Sequence, residues 1–270
     1  MNKKNIVITG VSSGIGIAFV KKALESNKYI VLGMGRKDIK GFKHKDYFFI
    51  KTDLSDTTTV KHSFLKLRKR LKRIDVLINN AGFAFRSTVE DLSPDEIKEQ
   101  FGVNLIGPIY LTSLVLPLMR EQKGGHIINI SSVGSIVSTP TLGYYAATKS
   151  AFDKLGEVLE QEVRDYNIKL STLFPGAVKS DFGNNIKLPL SYSQSSYKST
   201  YDEWKSRFAS FFSTRNTTED IAEAILNLIE HPKRVKYLHI RDQALCLAKR
   251  FLPHRVFQFL FLNYFYKHEG

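Results

Sequence analysis

The sequence predicts an α/β fold in which helices cover both faces of one parallel β-sheet. Short apolar runs, rich in β-branched and aromatic residues, alternate with segments of helical length along most of the chain. Strand, helix, strand, helix in succession is the order of a doubly wound sheet. No linker, repeat or low-complexity block interrupts this order, so residues 1–270 are predicted to form a single domain.

The predicted elements follow one another in a regular order. Strands are predicted over residues 5–10, 29–35, 47–53, 75–82, 126–131 and 168–174. Crossover helices are predicted over residues 16–26, 57–71 and 94–103. After Pro175 the pattern weakens, and the aromatic-rich segment 183–212 has no clear strand. Pro253 is expected to divide the C-terminal extension, residues 241–270, into two short helices.

Composition restricts the class of protein further. With 270 residues and 43% hydrophobic content, the chain is able to bury one large core. Cys246 is the single cysteine, which excludes an intramolecular disulfide and a thiolate metal cluster and favours a reducing, cytoplasmic compartment. The first ten residues lack the apolar core of a signal peptide, and no run reaches the ~18 apolar residues that span a membrane.

The net charge of +14 indicates an anionic partner. Nucleic acid, a phosphate-bearing cofactor and an acidic membrane surface all satisfy that condition. A dense basic stretch, residues 66–73, has no nucleic-acid-binding motif beside it and is interpreted as the solvated end of an amphipathic helix. We therefore expect no nucleic-acid partner.

A glycine-rich turn, TGVSSGIG at residues 9–16, follows the first predicted strand and leads into a helix. Gly10 permits a tight turn, Gly14 lets the backbone approach a pyrophosphate, and Gly16 allows the helix to pack closely on the strand. A glycine-rich turn alone is a weak signal, but its position at the first strand-to-helix junction predicts a dinucleotide site. The cofactor-binding residues predicted here are Gly10, Ser12, Ser13, Gly14, Ile15 and Gly16.

The end of the second strand bears on the choice between NADPH and NADH. An acidic residue at this position binds a ribose 2′-hydroxyl, whereas a basic residue binds a 2′-phosphate. Here the strand ends in Gly35, Arg36 and Lys37, and a guanidinium donates to phosphate through two parallel N–H groups. Asp38, two residues beyond Arg36, is the competing candidate for the acidic role. The sequence favours NADPH, bound through Arg36.

Two adjacent tyrosines stand near the start of a helical stretch, YYAATK at residues 144–149. Residues four apart lie on one face of a helix, so Tyr145 shares a face with Lys149, whereas Tyr144 points elsewhere. Alone, this spacing also fits an ordinary polar pair on a solvated helix.

Seven motifs together resemble those of the short-chain dehydrogenase/reductase superfamily, in that family's order and over roughly the first two thirds of the chain. They are TGVSSGIG, TDLSD with Asp53, NNAG at residues 79–82, VN at residues 103–104, NISS ending at Ser132, Tyr145-x-x-x-Lys149, and PGAVKS at residues 175–180. The resemblance implies a Rossmann fold and hydride transfer between the nicotinamide of NADP(H) and a carbonyl or alcohol. It also implies that residues 235–240 form the last edge strand.

The resemblance assigns the catalytic residues. The family places its serine thirteen residues before the tyrosine, which selects Ser132; Ser131 is expected to bond backbone. Tyr145 is the implied acid and base, with its pKa lowered by Lys149 and by the oxidised nicotinamide. Ser132 donates to the substrate oxygen, Lys149 also holds the nicotinamide ribose, and Asn104 anchors a water chain.

The remaining cofactor contacts are implied in the same way. Asp53 caps the adenine, and the cofactor groove is lined by Asn80, Ala81 and Gly82. The cofactor contacts after the sixth strand are Pro175, Gly176, Val178 and Ser180, with Ser180 at the carboxamide. Many relatives carry threonine in place of Ser180, a change that keeps the hydroxyl. His62 and His126 have no partner at metal-ligand spacing, so no metal site is expected.

The expected substrate is a hydrophobic carbonyl or alcohol, such as a steroid, retinoid or lipid. The C-terminal extension resembles that of hydroxysteroid- and retinol-dehydrogenase-like relatives. It is expected to form a pocket wall and to pack on the protein's own flank or on a second subunit, with membrane contact as the alternative. Residues 183–212 are a candidate substrate lid, in which Trp204 and Phe208 lie on one helix face. The alternative is that the aromatic side chains of this segment pack on the sheet.

Two further expectations concern assembly and activity. A homo-oligomer, a dimer or a tetramer, is expected. The alternative function is a non-catalytic NADP(H)-binding scaffold or redox sensor, because a fold does not guarantee an activity.

Overall fold

The computed structural model describes residues 3–176, 178–179, 186–203, 216–237 and 239–266. Seven parallel strands form one sheet in the order β3-β2-β1-β4-β5-β6-β9. They are β1 (Lys4–Thr9), β2 (Tyr29–Gly35), β3 (Tyr47–Lys51), β4 (Val76–Asn79), β5 (Gly125–Ile130), β6 (Ile168–Phe174) and β9 (Val235–Tyr237). Two short strands, β7 (Val178–Lys179) and β8 (Asn216–Thr217), pair with each other outside this sheet.

Helices cover both faces of the sheet. They are α1 (Gly14–Glu25), α2 (Thr57–Arg70), α3 (Pro94–Phe101), α4 (Gly107–Glu121), α5 (Gly143–Glu162), α6 (Thr218–Glu230), α7 (Ile240–Phe251) and α8 (His254–Tyr266). Residues 198–203 are also helical. This is the predicted doubly wound Rossmann fold with a C-terminal helical extension.

The core lies in two layers. On one face, α1 and α6 bury Phe19 and Ile225 against the sheet, and on the other, α2 and α4 bury Leu67, Leu111 and Val115. Each such side chain contributes about 1.5–3 kcal/mol by leaving water. Because both faces are covered, the central strands are apolar along their length, which is the pattern that predicted them.

The predicted elements agree with the observed ones, with differences at their ends. Residues 29–35 and 168–174 coincide with β2 and β6. The C-terminal extension divides into two helices at Pro253, as predicted from the missing N–H of proline. The helix predicted over residues 94–103 ends at Phe101 and continues as a π-helical turn, Gly102–Ile106. Such turns occur mostly at functional sites, and this one contains Asn104.

The stretch Pro94–Glu121 is long and apolar enough to cross a membrane by length and composition alone. In the fold, Leu111, Val115 and Met119 of α4 are fully buried against the sheet. The apolar composition of this stretch is therefore that of a core helix.

The C-terminal helices α7 and α8 are only partly covered. Phe257 and Phe261 stack on each other and are buried beside Val137. Among the described side chains of these helices, several apolar ones lie in solvent, including Ile240, Phe251 and Phe259, which are 79%, 74% and 67% exposed. The extension therefore has a buried aromatic face and an exposed apolar one.

Candidate active site

The glycine-rich turn lies at the carboxyl end of β1, beside the end of β4. The φ angles of Gly10 and Gly14 are +75° and +55°, which glycine adopts at little cost. Asn80 Nδ2 donates to the carbonyl oxygens of Thr9 and Gly10, both at 2.9 Å. Thr9 Oγ1 accepts the N–H groups of Asn80 and Ala81 at 3.0 Å. These bonds fix two of the predicted motifs side by side, where the strand order of the sheet reverses.

The N-terminus of α1 fits an anionic group. A Cβ added to Gly16 would overlap the carbonyl oxygen of Gly10 and lie 2.8 Å from its carbonyl carbon, so the helix approaches the turn as closely as glycine permits. Ser13 makes no side-chain capping bond to the residues that the structure describes, and Ser12 and Ser13 are exposed. The first-turn N–H groups and the positive helix end are therefore available to a pyrophosphate. Ile15 packs against the core beneath.

Arg36 and Asp53 follow the carboxyl ends of the neighbouring strands β2 and β3, close enough for their charges to interact. Burial disfavours the charged form of Asp53, but hydrogen bonds from Ser55 and the charge of Arg36 prevail and lower its pKa. The Ser55 N–H and hydroxyl donate to Asp53 Oδ1 at 3.0 and 2.7 Å. Arg36 is more than half exposed, and its guanidinium lies 3.5 Å from the Glu99 carboxylate of α3.

Ser132 and Tyr145 converge beside Gly134. A Cβ on Gly134 would lie 3.2 Å from Ser132 Oγ and 3.6 Å from Tyr145 Cε1, and the two side chains hydrogen-bond each other. Tyr144 points away, and its hydroxyl donates to the carbonyl of Val89 at 2.7 Å. The structure thus brings Tyr145, and not Tyr144, to the selected serine.

Asn104 and Lys149 converge beside Gly82. A Cβ on Gly82 would lie 3.4 Å from Asn104 Oδ1 and 3.5 Å from Lys149 Nζ. Lys149 is buried and donates to the carbonyl of Ile130 at 2.7 Å. Asn104 Oδ1 accepts the N–H of Phe83 at 3.0 Å, and its Nδ2 donates to the carbonyl of the same residue at 2.8 Å. The π-helical turn therefore fixes the loop that follows the NNAG motif.

The pKa values of Tyr145 and Lys149 are set by burial. Burial raises the pKa of Tyr145 to about 12, the hydrogen bond from Ser132 lowers it, and the charge of Asp153 raises it. Burial lowers the pKa of Lys149 to about 8, against the charge of Asp153, which raises it. In the protein by itself the Tyr145 pKa is thus raised, because removing the phenolate from water outweighs the hydrogen bond from Ser132. The lowering expected from Lys149 together with the oxidised nicotinamide stays a prediction for the cofactor-bound protein.

The loop after β6 closes against the C-terminal extension. The N–H of Val133 donates to the carbonyl of Pro175 at 3.0 Å. A Cβ on Gly176 would overlap the Asp242 carboxylate, so α7 lies directly against this loop. Val178 belongs to β7, whereas Ser180 lies outside the described residues.

The described part of the candidate lid is packed against the body of the protein. Tyr201 is 1% exposed, and its hydroxyl hydrogen-bonds the Asp91 carboxylate and accepts the N–H of Thr88 at 2.8 Å. Ser195 donates to the same carboxylate at 2.7 Å. Tyr201 is therefore packed against the loop that precedes α3, and the lid role of the segment stays a prediction. Trp204 and Phe208 lie outside the described residues.

Three acidic residues around the site were missed by sequence reasoning. Asp91 accepts hydrogen bonds from the 186–203 segment. Glu99 joins Arg36 to Lys187 of that segment, with Lys187 Nζ at 2.7 Å from Glu99 Oε1. Asp153 lies on α5 beyond Lys149. The position of Asp153, four residues after Lys149, was a usable signal. The other two contacts join distant parts of the chain and leave no local pattern.

Ser131 also differs from its expected contact. Its N–H donates to the carbonyl of Leu173, but its hydroxyl contacts side chains: Ser135 Oγ at 3.5 Å and the carboxyl of Asp153.

The described residues contain no group of three or more His, Cys, Asp or Glu side chains that could hold a metal ion. His126 is buried with Nε2 at 2.8 Å from Ser171 Oγ, and burial lowers its pKa to about 4, so it acts as a neutral structural group. Burial raises the pKa of the Cys246 thiol to about 11.

Sequence comparison identifies the family. The family model described as short chain dehydrogenase matches residues 4–190. The probable short-chain type dehydrogenase/reductase VdlC of Helicobacter pylori is 30% identical over 259 residues, covering 94% of this chain and 95% of that protein. The 3-ketodihydrosphingosine reductase of Bacteroides thetaiotaomicron is 32% identical over 185 residues, covering 68% of each.

Solved structures share the fold. A short-chain dehydrogenase from Streptomyces avermitilis superposes with a TM-score of 0.81, 25% identity and full coverage of both chains. A short chain dehydrogenase/reductase from Burkholderia phymatum in complex with NAD has a TM-score of 0.77, 21% identity and coverage of 91% of this chain and 92% of its own. An alcohol dehydrogenase from Thermococcus sibiricus complexed with 5-hydroxy-NADP has a TM-score of 0.68, 25% identity and coverage of 87% and 95%. The chain belongs to the short-chain dehydrogenase/reductase superfamily and is an oxidoreductase with a nicotinamide cofactor site.

Proposed function

We propose that the protein is an NADP(H)-dependent oxidoreductase that interconverts a carbonyl and an alcohol on a hydrophobic substrate. The observation that carries this proposal is the convergence of four side chains at the carboxyl edge of the sheet, beside the glycine-rich turn. They are Asn104, Ser132, Tyr145 and Lys149.

The chemistry follows from the positions of these groups. The nicotinamide, when bound, supplies or accepts a hydride. Tyr145 donates the proton to the substrate oxygen in reduction, and a pKa of about 12 keeps its hydroxyl protonated at neutral pH. Ser132 donates a hydrogen bond to the same oxygen as negative charge develops. Lys149 is held beside Gly82 by the Ile130 carbonyl, where it binds the ribose and supports the phenolate in the reverse direction.

The preference for NADP(H) is supported by the side chains at the end of β2. Arg36 is exposed there, whereas the competing carboxylate is engaged: Asp38 Oδ1 accepts the Tyr47 hydroxyl and the Ile39 N–H, both at 2.7 Å. One oxygen of the Asp38 carboxylate is thus already hydrogen-bonded within the protein, which favours Arg36 as the side chain that meets the cofactor.

Arg36→Ala is expected to weaken NADPH binding by roughly 1.5–3 kcal/mol and NADH binding far less, because it removes a charged hydrogen bond to the 2′-phosphate alone. Fluorescence titration with both cofactors measures the difference. The matched control is Lys37→Ala, which removes a neighbouring charge of the same sign. Equal losses for both cofactors, or a native preference for NADH, would refute the role of Arg36.

A hydrophobic substrate is supported by the relative from Bacteroides, whose name specifies a keto derivative of a sphingoid lipid. In this chain, Leu188 and Leu190 lie exposed in the described part of the candidate lid. Because Trp204, Phe208 and Ser180 lie outside the described residues, their roles as lid and carboxamide contacts remain part of this proposal.

The experiment that tests the function is a kinetic one. NADPH consumption is followed by absorbance with a panel of steroid, retinoid and long-chain ketones and aldehydes, and with a small ketone for comparison. We expect turnover that favours the large apolar carbonyls. Tight NADPH binding without turnover of any carbonyl would instead favour the non-catalytic scaffold.

The C-terminal extension is proposed to reach a membrane surface while the rest of the protein resides in the cytoplasm. Support comes from the exposed apolar residues Ile240, Phe251 and Phe259, beside which Arg241 and Arg250 carry positive charge. Sedimentation with anionic vesicles measures this contact, and Phe251→Ser together with Phe259→Ser is expected to abolish it. Binding that persists in the double variant argues against the extension as the contact.

A homo-oligomer, a dimer or a tetramer, is also proposed, because α5 exposes Leu155 and Val158 to solvent. Sedimentation equilibrium determines the mass, and a monomer at micromolar concentration would refute this assembly.

A further inference from the structure

Asp153 occupies a position directly beyond the paired side chains of α5. It follows Lys149 by four residues and Tyr145 by eight, so all three lie along one face of the helix. Its residue is only partly buried, but its Oδ1 is inaccessible to water and hydrogen-bonds none of the described side chains. Burying one carboxyl oxygen without a hydrogen bond costs free energy and disfavours the charged form.

The carboxyl of Asp153 is connected to the turn that carries Ser132. Ser131 and Ser135 hydrogen-bond this carboxyl. The Ser135 hydroxyl also donates to the Ser132 carbonyl at 2.7 Å, and its N–H donates to the same oxygen at 3.0 Å. Ser150 of α5 donates to the Ser135 carbonyl at 2.6 Å. Residues 131–135 are thereby attached to the helix that presents Tyr145.

The charge of Asp153 decides which group receives the hydroxyl hydrogen of Ser135. A serine has one O–H, so Ser135 cannot donate to Asp153 and to the Ser132 carbonyl at once. A protonated carboxyl can donate to Ser135, which leaves the Ser135 hydroxyl for the Ser132 carbonyl. A carboxylate must instead accept, which draws that hydroxyl away. When Asp153 is a carboxylate it therefore holds the Ser135 side chain, and the Ser135 N–H, at 3.0 Å, still holds the Ser132 carbonyl.

Charged and titratable groups from two elements face Asp153. From α5 these are Tyr145, Lys149 and Glu157, and from β9 it is Tyr237, which in turn hydrogen-bonds Cys246 of α7. Burial raises the pKa of Asp153 to about 6, the two serines and Lys149 lower it, and Glu157 raises it. In the other direction, the carboxylate raises the pKa of both Tyr145 and Lys149.

We propose that Asp153 is a positioning residue of the reaction: as a carboxylate it holds the Ser132 turn through Ser131 and Ser135, and it places a negative charge one helical turn beyond the Lys149 ammonium. The role deepens the proposed function, since it concerns the same site. Asp153 does not reach the substrate and acts through these neighbours.

The first test needs neither cofactor nor substrate. The protein is labelled with [13Cε]lysine, and the Lys149 resonance, identified by its loss in Lys149→Arg, is titrated by NMR. Asp153→Asn preserves the size of the side chain and removes its charge. We expect the Lys149 midpoint, near pH 8, to fall by about one pH unit in this variant. The matched control is Glu162→Gln, the same charge change at an exposed position of α5, which should leave the midpoint in place.

The unmodified protein supplies a second measurement should Asp153→Asn fail to fold. Its Lys149 resonance should show an additional inflection near pH 6, where Asp153 ionises. A Lys149 midpoint that is unchanged in a folded Asp153→Asn variant, or the absence of that inflection in the native protein, would overturn the proposal.

The kinetic test separates positioning from a structural effect. With a carbonyl substrate, Asp153→Asn should lower kcat more than it changes KM and shift the pH profile of kcat towards acid, whereas Asp153→Glu, which restores a carboxylate, should recover much of the loss. If Asp153→Asn and Asp153→Glu lower the free energy of unfolding equally and leave the pH profile of kcat unshifted, Asp153 is only a packing residue. Failure of every substrate would refute the proposed function and leave the NMR result standing.

Discussion

Tyr145→Phe is expected to lower kcat for carbonyl reduction by roughly 10²–10⁴-fold, which is the range typical of removing a positioned acid–base group. The hydroxyl, hydrogen-bonded with Ser132, is the proposed proton donor, and phenylalanine keeps the ring without it. Since the cofactor turn is built by other residues, the NADPH dissociation constant should change little. Steady-state kinetics and a binding titration measure the two quantities separately.

Tyr144→Phe is the matched control for this variant. The Tyr144 hydroxyl donates to the Val89 carbonyl, at 2.7 Å, away from Ser132. Its loss is expected to reduce stability by about 1 kcal/mol and to leave kcat close to that of the native enzyme. A nearly inactive Tyr144→Phe with an active Tyr145→Phe would contradict the assignment of the proton donor.

Gly16→Ala is expected to destabilise the fold by about 3 kcal/mol and to abolish measurable NADPH binding. The added Cβ would overlap the Gly10 carbonyl oxygen and lie 3.0 Å from Asn80 Nδ2, so α1 must move away from the turn that is proposed to bind the pyrophosphate. Urea unfolding followed by circular dichroism gives the stability, and fluorescence titration gives the affinity.

Gly143→Ala makes the same chemical change at a helix start where there is room. The nearest atom to the added Cβ would be Val89 Cγ2 at 3.9 Å, and alanine favours the helix more than glycine. We expect this control to retain full stability and cofactor affinity. Similar behaviour of the two alanine variants would show that close approach at Gly16 is not required.

The sequence alone determined the fold and the positions of the motifs. A parallel sheet buried on both faces requires continuous apolar strands, and such runs are visible at β2 and β6 to the residue. The spacing of Tyr145 and Lys149 was readable because a helix has a fixed period. Gly10 and Gly16 were readable because a tight turn and a close approach admit no side chain.

The tertiary structure decided how these residues interact. The pKa of Tyr145 rises rather than falls because burial depends on every element packed around the ring, which no local pattern records. The bond of Tyr201 to Asp91 and the bridge of Glu99 between Arg36 and Lys187 join residues far apart in the chain, so their pairing follows from the packing of α3 and the 186–203 segment. Local periodicity fixes which residues share a face of one element, whereas desolvation and long-range contacts arise only when the elements have come together.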